Sequence, residues 1–332
     1  MTKPQHLYKS VKYLAAGAFL LLGRYFTARL VSAQRGSKLH WLPPASQCYV
    51  KCPSGNIWQA QFDGPANAQP LVFIHGINAN HEQWYYQRRY FNKSYRLVFL
   101  DMPMYARKLV ANELAVSTLA ADLHAVLNYL NLTNAVIYGH SMGGMVLMQY
   151  VLQHPNQLNT KGIIVHGSSY TNPILTNPFV DVLRPLQKPV LIPLLKFFKN
   201  QRRLFNLLSR IDFLNGVSSI IYRFILFAGN QTANQLIYVS AMAPTNDTAA
   251  AAESVLKLMQ FDITQQLKQI QLPTLIISGL HDRFNTVAAN MYLHRHVPQS
   301  QLQLIAAGHQ GMVEKHEQVN TAIDNFLKQL KS

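Results

Sequence analysis

The sequence predicts an α/β fold, a mostly parallel sheet interrupted by a helical insertion, and three observations carry that prediction. Short aliphatic runs, among them Leu71–Ile74, Ala135–Tyr138, Gly162–Val165 and Thr274–Ser278, alternate with segments whose apolar residues recur at helical spacing, the pattern of successive strand–helix units. The runs end in glycine-bearing turns at Gly76, Gly139, Gly167 and Gly279, as buried parallel strands do when their loops open at the carboxyl end of a sheet. The alternation stops at Tyr170 and resumes near Phe261. The expected division is therefore an N-terminal segment over 1–40, a core over 41–169 and 262–332, and a helical cap over 170–261.

The N-terminal segment is basic. Lys3, Lys9, Lys12, Arg24, Arg29, Arg35 and Lys38 all precede the first acid, Asp63, and bracket an apolar run from Tyr13 to Gly23. A helix over that run covers about 17 Å of a roughly 30 Å hydrocarbon core, short for a span. A secretory leader cut near Val31-Ser32-Ala33 is disfavoured by Arg24 and Arg29, which stand between the apolar core and that site. A transit peptide is disfavoured by the continuity of the apolar run. The expectation is a membrane-associated helix in which Lys12 and Arg24 snorkel and Tyr25-Phe26 sit at the interface. A helix packed on the domain's own surface, an exported chain and a soluble cytoplasmic one are the alternatives.

Composition narrows the partners. Thirty lysines and arginines stand against 14 acids in 332 residues, a formal charge of +16. Such a surplus suits anionic surroundings. Nucleic acid ranks last, because no zinc-ligand spacing or RNA-binding signature is present. An anionic membrane surface or an acidic carrier protein fits better. Cys48 and Cys52, four apart along an extended stretch, lie about 13 Å from each other and cannot bridge. No metal site is implied.

Along the core, two alternating runs from Gln47 to Phe62 flank Pro53-Ser-Gly-Asn56, a hairpin signal. Leu71–Ile74 runs into His75-Gly76-Ile77-Asn78, and Asn80 is placed to cap the next helix. That helix carries Trp84-Tyr-Tyr86. These aromatics suit the core, though Trp84 is near enough to the loop to be a candidate pocket residue. A strand over Tyr95–Leu100 ends at Asp101, and Leu114–Leu130 reads as a helix. In the cap, Arg184 to Arg223 holds eight basic residues and the single acid Asp212 among long apolar stretches. Such a cap suits lipid or an acidic partner, and equally a lid packed on the core with its charges in water. Ile263–Ile270 and Val287–His296 are expected helices, Leu302–Ile305 the last strand, and Val319–Leu330 the last helix.

The chemistry centres on Gly139-His-Ser-Met-Gly143. A strand ends there and an apolar helix follows at once. A serine can sit on a sharp turn above a sheet only where the residues two before and two after it have almost no side chain. Ser141 is thus a candidate nucleophile, and the amide of Met142, at the helix N-terminus, a candidate oxyanion donor. His140, beside the serine, is a candidate pocket residue. Serine needs a base, and the base a carboxylate to orient it. Asp282 follows one strand and His309 the next, so both reach the same end of a parallel sheet as Ser141. Asp101 also ends a strand, Asp282 could merely cap a helix, and His166, His281 and His316 are rivals to His309.

Together, Gly139-His-Ser-Met-Gly143, His75-Gly76, Gly279-x-x-Asp282 and Gly308-His309 make the chain from about Gly55 to Leu330 resemble the α/β-hydrolase family. The resemblance implies a mostly parallel eight-stranded sheet flanked by helices, with a helical cap inserted after the sixth strand. It also implies a nucleophile at Ser141, a base at His309, an orienting acid at Asp282, an oxyanion hole from the amides of Ile77 and Met142, and hydrolysis without a metal or organic cofactor. One loop departs from the family: Asp101-Met-Pro-Met-Tyr-Ala106 lacks the two glycines many members have there. Haloalkane dehalogenases and epoxide hydrolases of the family use a carboxylate where this chain has Ser141, which disfavours those reactions. The expected function is a membrane-associated serine esterase for acyl or lipid-like esters. The alternatives are an esterase for an acyl group on an acidic carrier and a non-catalytic binding protein that has kept the fold.

Overall fold

A computed structural model describes residues 17, 19–32, 34–103, 113–155 and 160–331. Lys12, and the part of the glycine-poor loop from Met104 to Ala106, lie outside the described residues.

The hairpin forms from β1 (Ser46–Lys51) and β2 (Ile57–Asp63), paired antiparallel across the Cys52–Asn56 turn. β3 (Pro70–Ile74), β4 (Arg96–Asp101), β5 (Ala135–His140), β6 (Thr160–His166), β7 (Thr274–Gly279) and β8 (Ser300–Ile305) follow. They make one eight-stranded sheet in the order β1-β2-β4-β3-β5-β6-β7-β8. From β4 to β8 every pairing is parallel.

The continuous apolar runs are explained by the two faces of this sheet. In β3, Val72 and Ile74 pack into a cluster on one face with Ile137 of β5 and Val165 of β6, while Leu71 and Phe73 pack on the other with Tyr138 and Ile164. Side chains alternate along a strand, so a strand covered on both sides must be apolar at every position. The helices that cover it include α3 (Val116–Tyr129) and α4 (Met142–Gln153), whose Leu119, Leu123, Val146 and Met148 join the first cluster. On the opposite face are α2 (Tyr85–Phe91) and α13 (His316–Gln329), through Phe91, Val319, Ile323 and Phe326. α11 (Val287–His296) and α12 (Gly311–Glu314) complete the core. The expected helix over Ile263–Ile270 is instead a 3₁₀ segment, Thr264–Gln269. Leu267 and Ile270 are both fully buried there.

Between β6 and β7 the chain forms the inserted cap: α5 (Val180–Leu186), a π-helical turn (Gln187–Leu191), α6 (Ile192–Asn200), α7 (Arg202–Asn215), α8 (Val217–Ile225), α9 (Ala233–Ser240) and α10 (Thr248–Leu258). The N-terminal helix α1 (residues 19–30) lies against it. Thr27 Oγ1 donates to the Gly216 carbonyl at 3.2 Å, and Ala28 is fully buried. Among the described residues no helix is long and apolar enough to cross a membrane. Cys48 and Cys52 are both free, and burial with the charge of Asp122 pushes the Cys52 thiol up to about 12.

Candidate active site

Sheet order brings the sequence motifs together. β3 and β5 are neighbours with Ile74 opposite Gly139, so the His75–Asn80 loop and the serine elbow emerge side by side. β6, β7 and β8 continue outward with His140 opposite His166 and Gly279 opposite Ile305. The turns after five adjacent parallel strands therefore meet at one edge.

Ser141 stands between β5 and α4 at φ 53° and ψ −120°, a backbone conformation that non-glycine residues avoid. Close packing around it holds that conformation. A Cβ on Gly139 would lie 2.5 Å from the Gly143 carbonyl oxygen, and one on Gly143 would overlap the Ile74 carbonyl. The Ser141 amide donates to the His166 carbonyl at 2.9 Å, extending the β5–β6 ladder one residue past the strand. Met142 opens α4, where the first amides have no carbonyl partner within the helix.

In the turns after β7 and β8, the Nδ1–H of His309 donates to Asp282 Oδ2 at 2.8 Å. The other oxygen of Asp282 accepts the amides of Phe284 at 2.7 Å and Asn285 at 3.1 Å, so the carboxylate both caps its own turn and orients the imidazole. Gly167, at φ +57°, lies against this pair, and a Cβ there would come within 3.1 Å of Asp282 Oδ2. Gly76, Ile77, Ser141, His140 and His309 line one cavity of about 380 Å³. The cap supplies most of its other wall through apolar side chains, including Leu183, Tyr222, Ile225, Val239, Met242 and Leu258.

The rival residues have other partners. Asp101 takes the Nδ1–H of His81 at 2.6 Å. His166 is buried and hydrogen-bonded to the Tyr138 hydroxyl at 2.6 Å; burial, with a smaller contribution from His309, lowers its pKa to about 3. His316 stacks on Tyr86 with ring centroids 3.7 Å apart, and His281 is exposed. Trp84 does not line the cavity. It is fully buried, 5.1 Å from the Phe73 ring and 4.6 Å from that of Tyr138, because the 3₁₀ turn His81–Trp84 directs it into the sheet face.

Three supports escaped sequence reasoning. The Nε2–H of His140 donates to the His309 carbonyl at 2.9 Å; burial, then the neighbouring His309 and His166, hold its pKa well below the usual histidine range. The Glu314 carboxylate accepts the amides of Gly308, Ala228, Gly229 and Asn230 at 2.8–3.0 Å, clamping the His309 loop to the end of the cap helices. A buried chain runs from Asp101 through His81 to Glu82 (3.2 Å) and on to the Tyr238 hydroxyl of α9. Burial alone would lower the His81 pKa, but the charges and hydrogen bonds of Asp101 and Glu82 raise it to about 9. Only the short H-x-x-x-x-E spacing from His309 to Glu314 could have hinted at any of these in the sequence.

A serine on a strained elbow, sharing one cavity with a carboxylate-oriented histidine under a helical cap on a parallel sheet, defines the class of capped α/β hydrolases. The chain belongs to the alpha/beta hydrolase fold family, whose model matches residues 69–315. It is similar to the AB hydrolase superfamily protein YisY of Bacillus subtilis, 26% identical over 78% of this chain and 92% of that one. It is also similar to 3-oxoadipate enol-lactonase 1 of Acinetobacter baylyi, at 22% identity over 83% and 95%. Among solved structures, an esterase from Exiguobacterium antarcticum superposes with a TM-score of 0.65 at 22% identity, covering 86% of this chain and 99% of that one. The family and these relatives support hydrolase chemistry.

Proposed function

We propose that the protein is a serine hydrolase that cleaves carboxylic esters with apolar acyl groups through an acyl-enzyme on Ser141. The observation that carries this reading is the shared cavity, which the strained Ser141 lines together with a His309 already bonded through Nδ1 to Asp282. That bond leaves Nε2 of His309 as the free lone pair. In the proposed reaction Nε2 takes the Ser141 proton as Oγ bonds to the ester carbonyl carbon. The carbonyl oxygen, now an oxyanion, accepts the amides of Met142 and Ile77. Collapse breaks the ester C–O bond, and the proton on His309 passes to the departing alcohol. Water, deprotonated by the same histidine, then cleaves the acyl-serine.

The loop geometry supports Ile77 as a donor. Nδ1–H of His75 donates to the Gly76 carbonyl at 2.7 Å, and the Met102 amide donates to Nε2 of His75 at 3.1 Å. In a trans peptide the carbonyl and the following N–H point in opposite directions. Fixing the Gly76 carbonyl therefore turns the Ile77 amide the other way.

The apolar cap wall favours acyl chains over polar acids. In this reading 41–169 and 262–332 supply the reaction and 170–261, the cap, supplies selectivity. The chain's positive charge keeps an acyl group on an acidic carrier protein as a second reading, for which turnover would fall steeply as salt is added, whereas that of a small neutral ester would not. A series of aryl esters of increasing acyl length, with wild type and Ser141→Ala, tests the proposal. The expected result is a rate that rises with chain length beyond acetate and is abolished in the variant. Equal turnover by Ser141→Ala would overturn it.

A further inference from the structure

α1 and the cap leave large apolar side chains in water. On α1, Phe19, Leu22, Phe26 and Leu30 are exposed, the last two by 65% and 72%. Their spacing places them along one stripe of the helix. The adjoining face is committed to the cap: Gly23 packs on Asn215 so closely that a Cβ would overlap its carbonyl, Thr27 bonds to Gly216, and the Arg24 guanidinium lies 5.1 Å over the Phe213 ring. These contacts hold the stripe outward. α8 adds exposed Ile221 and Phe224, and on the same helix Tyr222 and Ile225 line the cavity. Large apolar side chains left exposed in such number on two packed elements point to an interaction site.

Charge indicates the occupant. On α7 and α8, Arg202 pairs with Asp247, but Arg203, Arg210 and Arg223 have no carboxylate partner among the described residues. An acidic protein would satisfy these bases and leave the Phe and Leu stripe in water. A lipid surface satisfies both, with headgroup phosphates for the bases and acyl region for the stripe. The described stretch of α1, residues 19–30, covers about 18 Å and is long enough to lie in such a surface.

We propose that α1 and the cap helices α7 and α8 form one docking face for an anionic lipid bilayer, which places the mouth of the cavity against the membrane. This rests on the ester-hydrolase reading, since it names where that site meets its substrate. The bound surface would supply esters whose acyl chains are already at the level of Tyr222 and Ile225.

Flotation of the full-length chain with vesicles of phosphatidylcholine, with and without phosphatidylglycerol, tests the proposal. Wild type should float with the anionic vesicles and be released by salt. Phe26→Asp with Phe224→Asp, both exposed and outside the cavity, should weaken binding by about tenfold or more while turnover of a water-soluble short-chain aryl ester stays at the wild-type rate. Wild type that floats with neither vesicle, or a double variant that floats as wild type does, would overturn it. So would a wild-type dimer that binds no vesicle and that the double variant splits, since the face would then join two copies of the chain. Flotation without any ester turnover would instead overturn the hydrolase reading and leave the docking face standing.

Discussion

At Ser141 the backbone conformation is costly by itself, on the order of 1–3 kcal/mol, and persists because strand, helix and loop converge with no room for relaxation. Gly139 and Gly143 make that convergence possible. Gly143→Ala would drive a methyl into the Ile74 carbonyl, and the expected outcome is loss of the folded protein or of the elbow, read by thermal unfolding beside activity; a stable, fully active variant would refute the packing account. Asp282→Asn leaves the shape of the turn but exchanges an acceptor for an amide that favours the wrong imidazole tautomer. On the proposed mechanism turnover falls by about 10³–10⁴ with folding intact. A variant within a few fold of wild type would remove Asp282 from its role.

Between elements, Glu314 is the most heavily bonded side chain near the site. Its carboxylate faces four amides from two separate loops, a geometry an amide side chain cannot copy because its own NH2 would confront donors. Glu314→Gln is expected to cost about 2 kcal/mol of stability, and to lower kcat more than it raises KM, because it loosens the His309 loop and not the acyl wall. An unchanged kcat would show the clamp to be structural alone. Elements of this kind mark where sequence reading stops. Strands β3, β5 and β6 were readable because burial on both faces writes a continuous apolar run, and the Ser141 and Asp282 turns because each follows such a run; the His309 turn follows the half-exposed β8 and was marked by Gly308-His309 itself. Glu314 and Gly229 stand 85 residues apart, and Glu82 and Tyr238 156 apart; no local pattern records a hydrogen bond over that distance. The π-helical turn at Gln187–Leu191 was equally hidden, since the apolar spacing of a π turn and an α turn differ by one residue. The packing of α1 on the cap was open in the sequence as an alternative to membrane association.

For the whole molecule, the buried histidines set opposing limits with pH. His75, His140 and His166 have depressed pKa values, chiefly through burial. They are neutral in the folded state, while the unfolded chain takes up protons below about 6.5, so folding stability falls as pH drops beneath that value. His81 acts in the other direction. Its pKa is raised from 6.5 to about 9, so its contribution, on the order of 3 kcal/mol, is complete below pH 6.5 and is lost as pH rises to 9. A melting-temperature profile should therefore decline on both sides of a maximum near neutrality, and His81→Gln should flatten the alkaline side only. An unaltered alkaline limb would show that the Asp101–His81–Glu82 chain is not charged as described.

The central claim is that Ser141 is an activated nucleophile in a capped apolar cavity. Incubation with a fluorophosphonate, followed by peptide mass spectrometry, tests it most directly. The account predicts a single stoichiometric adduct on Ser141, absent from Ser141→Ala and slowed severely in His309→Ala. An unlabelled Ser141 in protein that still hydrolyses esters, or an adduct on another residue that accounts for the activity, would contradict it.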